Sequence, residues 1–104
     1  VQNKIPVKVV ILNNGHLGMV RQWQELFYNR NYSHTNMEAQ PDFVKLAEAY
    51  GAEGYRISKP EELEDVLRKA LTSPTGLIDV MVEREENVYP MVPAGAALDE
   101  MLLV

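Results

Sequence analysis

Val7-Lys8-Val9-Val10-Ile11-Leu12 is an almost unbroken apolar, β-branched run, and it stops at two amides, Asn13-Asn14. A run without in-out alternation reads as a strand covered on both faces, as in a parallel sheet. Lys8 is the single interruption and suits a strand end or a snorkelling position. Gly15 and Gly18 then flank His16 and Leu17, and a helical pattern begins with Met19-Val20-Arg21-Gln22-Trp23. Open α/β sheets bind ligands beyond the carboxyl ends of their strands, where this strand, loop and helix meet. Such a loop offers main-chain N–H groups and hard oxygen ligands, which suit an anionic group accompanied by a divalent metal.

The rest of the chain repeats the alternation of helix and strand. From Gly18 to about Asn29, Met19, Val20, Trp23, Leu26 and Phe27 share one helical face. Residues 30–40 are polar, lack periodicity and read as a loop. Pro41-Asp42 opens a second helix in which Phe43, Leu46, Ala47 and Tyr50 share a face, with Gly51 as its stop. Tyr55–Ile57 is a short strand. Ser58-Lys59-Pro60-Glu61 has the form of a capping box, with Glu61 reaching back to the cap. Pro60 fits there because the first turn has unpaired donors in any case. Leu63, Val66, Leu67, Ala70 and Leu71 predict the buried stripe of a third helix. Gly76–Val82 reads as another strand, Glu83–Glu86 as a solvated charge run, Tyr89–Gly95 as an extended turn-rich segment, and Ala96–Leu103 as a final short helix. Together these elements predict an α/β layer fold with parallel pairing and no internal domain boundary.

A length of 104 residues is enough for one small domain or a piece of a larger one. The chain opens on Val1, and Val1-Gln2-Asn3-Lys4 resembles the tail of an earlier helix, so a segment of a longer polypeptide is expected. The formal charge is −5 with no basic cluster, which argues against a nucleic-acid partner. The absence of cysteine excludes disulfides, thiolate metal sites and a cysteine nucleophile. No apolar stretch is long enough to span a membrane, and no membrane partner is expected.

The chemistry concentrates at the end of the first strand. Successive residues face opposite sides, so Asn13 and Asn14 cannot share one task. One amide is expected to turn to a metal or phosphate and the other to hold the loop through backbone bonds. Gly15 and Gly18 permit positive φ and close approach of a ligand. The N–H groups of Leu17, Gly18 and Met19 are expected as the unpaired donors of a helix start. Asn-Asn-Gly on its own is an ordinary turn signal, and it is the longer string through Trp23 that shifts the balance. His16 offers a ring nitrogen or a main-chain carbonyl, although a lone histidine is more often a plain loop residue. His34 has no acid or nucleophile at useful spacing and reads as structural or exposed. Met19, Val20, Trp23 and Phe27 are by default core residues; the alternative is a hydrophobic wall over a reactive centre. No Ser-His-Asp order, metalloprotease helix or Walker loop is present.

The string Asn13 to Tyr28, followed by Tyr32-Ser33-His34-Thr35, closely resembles the large catalytic subunit of acetolactate synthases. The likeness continues through Asp42 to Tyr50, Leu77-Ile78-Asp79-Val80 and Tyr89-Pro90-Met91-Val92-Pro93. It implies part of a three-layer α/β/α thiamine diphosphate-binding fold, with Asn13-Asn14 as the closing half of the motif that opens with Gly-Asp-Gly. It further implies a carboligase joining pyruvate to pyruvate or 2-oxobutyrate on the route to branched-chain amino acids. By that resemblance Asn14 gives its side-chain oxygen and His16 its carbonyl to Mg²⁺, while Gly15, Leu17, Gly18 and Met19 line the cofactor site. Met19 and Val20 then pack near the thiazolium, Trp23 shapes the second-substrate pocket and contacts herbicides, and Ala94 lies near another herbicide contact. FAD belongs to the parent enzyme, with its site outside this chain. The Gly-Asp-Gly half, the catalytic glutamate and the FAD domain are all missing, so this chain alone is expected to be inactive. Expected partners are the 2-oxo acids, the rest of the large subunit, a second large subunit and a regulatory small subunit. The implied setting is cytoplasmic, or plastid for a plant source. Glyoxylate carboligase and pyruvate oxidase are related alternatives, against which the Gln22-Trp23-Gln24 context weighs. A non-catalytic α/β interaction module is a further alternative, from a different class.

Overall fold

The computed structural model describes residues 3 and 5–103, so all but Asn3 of the expected helix tail lies outside the described residues. Strands β1 (Lys8–Asn13), β2 (Glu53–Ile57) and β3 (Gly76–Met81) and helices α1 (Gly18–Phe27), α2 (Phe43–Ala49) and α3 (Leu63–Thr72) follow the expected alternation. The described chain divides into two compact units.

The first unit contains β1, α2, β2, α3 and β3. Its sheet has the order β1-β3-β2, and both pairings are parallel, as the strand pattern predicted. β3 is central, and its Ile78 packs with Ile57 and Ala70 in a core edged by Tyr55, Val66, Leu67 and Val80. Asp42 caps α2 by accepting from the N–H groups of Val44 and Lys45. Gly51 donates its N–H to Glu48 O and ends the helix as expected. Gly54 lets α2 lie directly on β2, because a Cβ at that position would stand 2.7 Å from the Val44 carbonyl oxygen.

Four expectations about this unit are corrected. β1 is an edge strand and not a strand covered on both faces: Val9, Val10 and Leu12 are exposed, Leu12 to 70%. The helices pack on β2 and β3, so the apolar composition of β1 has no matching cover in this unit. The inward side of α2 is Phe43, Val44 and Ala47, with Leu46 and Tyr50 exposed, because the helix meets the sheet at Gly54 beside Val44. On α3, Val66, Leu67 and Ala70 face the core, whereas Leu63 and Leu71 are exposed. The capping carboxylate before α3 is Glu62, not Glu61: it accepts from Ser58 N–H at 2.9 Å and Lys59 N–H at 3.2 Å. A turn of 3-10 helix over Pro60–Glu62 winds more tightly than an α turn and carries the third residue back over the cap. Lys8 is the first residue of β1, as its charge suggested, and donates to the Ser73 carbonyl.

The second unit contains α1 and the C-terminal segment. That segment holds one 3-10 turn over Leu98–Glu100 and an isolated bridge between Met91 and Leu102, in place of the helix expected over Ala96–Leu103. An eight-residue helix with few internal bonds is marginal, and the Met91 pairing holds the chain extended instead. Residues 30–40 form no helix or strand, as expected.

Candidate functional site

β1 ends at Asn13, which lies opposite Met81, while Ile57 lies opposite Val80, so the three strands finish at one edge. A cleft of about 380 Å³ opens there, lined by Asn13, Asp42, Arg56, Ser58, Asp79 and Met81 among others. A chain of hydrogen bonds runs along its floor. Gly15 N–H donates to Asn13 Oδ1 at 3.0 Å, and Asn13 Nδ2 donates to Asp79 Oδ1 at 2.9 Å. Arg56 Nε donates to Asp79 Oδ2 at 3.1 Å, and Arg56 Nη2 donates to Asp42 Oδ1 at 2.9 Å. Asp79 is 1% exposed, so its charge is held by two directed donors and not by water. The Asp79 bond, aided by Asp42, raises Arg56 above the ordinary arginine value. The Lys45 amide, then Arg56 and the Val44 amide, hold the Asp42 carboxyl below its ordinary value.

This arrangement assigns the loop-holding task to Asn13. Its amide accepts from Gly15, the Asx geometry that shapes a tight turn. Gly15 sits at φ +68°, and a Cβ there would meet nothing within 4 Å, so conformation and not crowding calls for glycine. Gly18 has no positive φ and is instead the first residue of α1. Asn14, Gly15 and His16 are all partly buried. Within the second unit, Leu17 N–H donates to Thr35 O at 2.9 Å, so Leu17 is not the unpaired donor expected. α1 has no side-chain cap and its first i to i−4 bond is made by Arg21 N–H to Leu17 O, so Gly18, Met19 and Val20 carry the donors of its first turn. No cluster of three or more His, Asp or Glu side chains suited to a metal occurs among the described residues. Asn and carbonyl oxygens are hard ligands that suit Mg²⁺, which normally keeps waters and phosphate oxygens in its shell. The Asn14 side-chain oxygen is a ligand of that type.

The two faces of α1 are reversed from the default expectation. Met19, Val20, Trp23 and Phe27 are exposed by 43–50%, while Arg21 and Gln22 are buried. The polar face is turned in because it binds the returning chain. Arg21 pairs with Glu25 at 2.9 Å and Glu85 at 3.5 Å, and its guanidinium lies 5.1 Å from the Tyr32 ring centroid. Asn87 donates to Glu25 at 3.2 Å, a bond that, ahead of the Arg21 contact, lowers the Glu25 carboxyl below its ordinary value. Gln22 bonds both main-chain groups of Val88. The outward apolar face meets Met91–Ala94 around a cavity of about 390 Å³ lined also by Trp23, Phe27 and Tyr28. Trp23 and Phe27 are thus not core residues of this unit, and Trp23 and Ala94 line one cavity.

Sequence reasoning missed Asp79, Arg56 and Gln22. An acid inside the apolar run Leu77-Ile78-Asp79-Val80 was a usable signal, because a buried carboxylate demands partners. Gln22 carries no such signal. His34 is exposed and bonded through Nδ1 to Ser33 Oγ, consistent with a structural role. The charge run at Glu83–Glu86 is exposed as expected, with Glu85 reaching Arg21.

Residues 1–80 match the family model described as thiamine pyrophosphate enzyme, C-terminal TPP binding domain. The chain is 47% identical over 104 residues to an acetolactate synthase large subunit of Haemophilus influenzae, covering 98% of this chain and 18% of that protein. It is 48% identical over 103 residues to the mitochondrial acetolactate synthase catalytic subunit of Saccharomyces cerevisiae, covering 98% of this chain and 15% of that protein. Among solved structures it is similar to a thiamine diphosphate-dependent 4-hydroxybenzoylformate decarboxylase of Rhodococcus jostii, with TM-score 0.73, 32% identity, and coverage of 83% of this chain and 16% of that one. The chain thus spans under a fifth of the length of these curated relatives.

Proposed function

The chain belongs to the thiamine pyrophosphate enzyme family, within its C-terminal TPP-binding domain, and on that premise we propose that it supplies the diphosphate- and Mg²⁺-holding part of an acetohydroxy-acid-forming carboligase. The proposed reaction joins pyruvate to a second pyruvate or to 2-oxobutyrate, as a step towards branched-chain amino acids. Thiamine diphosphate, when bound, supplies the reversal of carbonyl polarity that this condensation requires. The protein's own work is to hold, orient and shield.

One observation carries the reading of the loop. Asn13 is committed inward by Asp79 and shapes the turn at Gly15. Alternation past the strand end then supports Asn14, not Asn13, as the residue on the ligand side. The Asn14 side-chain oxygen and the His16 carbonyl would be metal ligands. Gly15, Leu17, Gly18 and Met19 would line the diphosphate, with the Gly18 and Met19 amides as donors. Met19, Val20 and Trp23 would form the apolar substrate wall, which their outward placement supports. A further metal ligand, a catalytic glutamate, FAD and a second large subunit would come from outside this chain, and a regulatory small subunit would act on the whole assembly. The proposed setting is the cytoplasm, or a plastid for a plant source. No helix among the described residues is long and apolar enough to cross a membrane.

Calorimetric titration of the intact protein with thiamine diphosphate, with and without Mg²⁺, tests the site. Asn14→Ala should weaken Mg²⁺-dependent binding by tenfold or more while the melting temperature holds. Retention of the full Mg²⁺ dependence in that variant would reject Asn14 as a ligand. Product analysis with pyruvate and 2-oxobutyrate tests the reaction, and absence of acetolactate would reject the carboligase while leaving the cofactor reading intact.

A further inference from the structure

Gln22 is 1% exposed on a helix whose apolar residues point outward. Its amide does what a neighbouring strand would do. Nε2 donates to Val88 O at 2.9 Å, and Oε1 accepts from Val88 N–H at 2.9 Å. Nε2 also lies 3.1 Å from Met91 Sδ. Met91 is pinned on its main chain by Leu102, through bonds of 2.9 and 2.7 Å in the two directions. Immediately after Met91 come Val92, Pro93 and Ala94, which line the cavity beside Trp23. Gln22 and Trp23 are consecutive on α1, so one residue forms a side of the cavity and its neighbour anchors the segment that forms the opposing side.

We propose that Gln22 is a positioning residue that sets the wall Met91–Ala94 against Trp23 and thereby sets which 2-oxo acid the pocket accepts; the second half of this statement rests on the function proposed above. The chemistry explains the residue type. An amide has a donor and an acceptor on one planar group, and it satisfies both the N–H and the C=O of a single main-chain residue. A carboxylate can accept from the N–H but repels the carbonyl, and an apolar side chain of equal length removes the partner of both Val88 main-chain groups. The segment would then lose its registration to α1 at Val88, while Met91 keeps its bonds to Leu102. The cavity should loosen without the sheet of the first unit being touched, since Gln22, Val88 and Met91 all belong to the second unit.

The test uses the intact protein and two substitutions. Gln22→Met should accelerate hydrogen exchange at the Val88 amide about tenfold, as loss of one to two net hydrogen bonds implies, and leave exchange at Ile78 unchanged. Gln22→Glu keeps an acceptor for the Val88 N–H but as a carboxylate has no donor for Val88 O, so at pH 8 it should accelerate Val88 exchange less than Gln22→Met does, with protection returning towards wild type as the carboxyl is protonated at about pH 4 and below. Wild type should show no such pH dependence beyond the intrinsic exchange rate. In competition between pyruvate and 2-oxobutyrate, Gln22→Met should raise KM for the second substrate several-fold and change the product ratio, with kcat altered less. Unchanged Val88 exchange in both variants would overturn the clamp. Faster Val88 exchange with an unchanged product ratio would overturn its role in selectivity. A wild-type protein that forms no acetohydroxy acid would instead remove the functional reading, and the exchange arm would still decide the clamp.

Discussion

Asp79→Asn is the sharpest perturbation of the strand-edge network, because it changes charge and one donor at constant shape. Asp79 offers an acceptor to each of two donors, Asn13 Nδ2 at 2.9 Å and Arg56 Nε at 3.1 Å. An asparagine offers one acceptor and one donor on those two sides. If its oxygen faces Arg56, its NH₂ meets the Asn13 NH₂. Asn13 can flip to accommodate it, but its NH₂ then faces the Gly15 N–H, which loses its acceptor. If the oxygen faces Asn13, the NH₂ meets Arg56. The Arg56 side chain is 41% exposed, so water relieves much of that side. Every arrangement leaves one donor misplaced in a region where Asp79 and Asn13 are buried. An unsatisfied buried polar group costs about 1–3 kcal/mol, and loss of a charge-assisted bond adds to it, so the expected destabilisation is about 2–3 kcal/mol. Urea unfolding of the intact protein, with amide exchange read at Gly15, provides the assay. The Gly15 amide should exchange faster in proportion to the loosening of the turn. A stability change within about 0.5 kcal/mol, the range of ordinary surface substitutions, together with unchanged Gly15 exchange, would refute the network argument.

Gly54→Ala should destabilise by about 1–3 kcal/mol, because the new methyl would meet the Val44 main chain and α2 would have to shift; denaturant midpoints check this. Asp42 and Glu25 both have carboxyl groups held below their ordinary values when folded, so each adds stability above the ordinary carboxylate range near pH 4 and loses it as pH falls through the folded value. Unfolding midpoints between pH 6 and pH 2 should therefore decline from about pH 4 downwards, and Asp42→Asn should flatten part of that decline. Under the function proposed above, Trp23→Leu should change the ratio of products from pyruvate and 2-oxobutyrate by about tenfold while thiamine diphosphate affinity stays at the wild-type level.

The order of elements was legible because it depends on local chemistry. Asp42 could cap α2 with its own side chain, Gly51 could end it, and the β-branched runs at Val9 and Ile78 could pair in parallel. That one of the two amides would hold the loop was foreseeable, and Asn13 does so. Burial was not legible from period alone. Periodicity identifies which residues share a face, but not which face the remainder of the chain will meet. On α1 the segment around Val88 offered main-chain groups and Asn87 an amide, so the polar side turned inward and the apolar stripe outward. The Glu61–Glu62 discrepancy has a similar cause, since either carboxylate can reach back and the local winding decides between them.

The uncovered side of β1 also bears on handling. Val9, Val10 and Leu12 present greasy side chains from a strand whose outer main-chain edge pairs with no other strand of its sheet. Such a ribbon is a template on which identical molecules can zip together. Expressed as an isolated piece at high concentration, the sheet unit should self-associate and precipitate, and a lysine in place of Val10 should restore solubility.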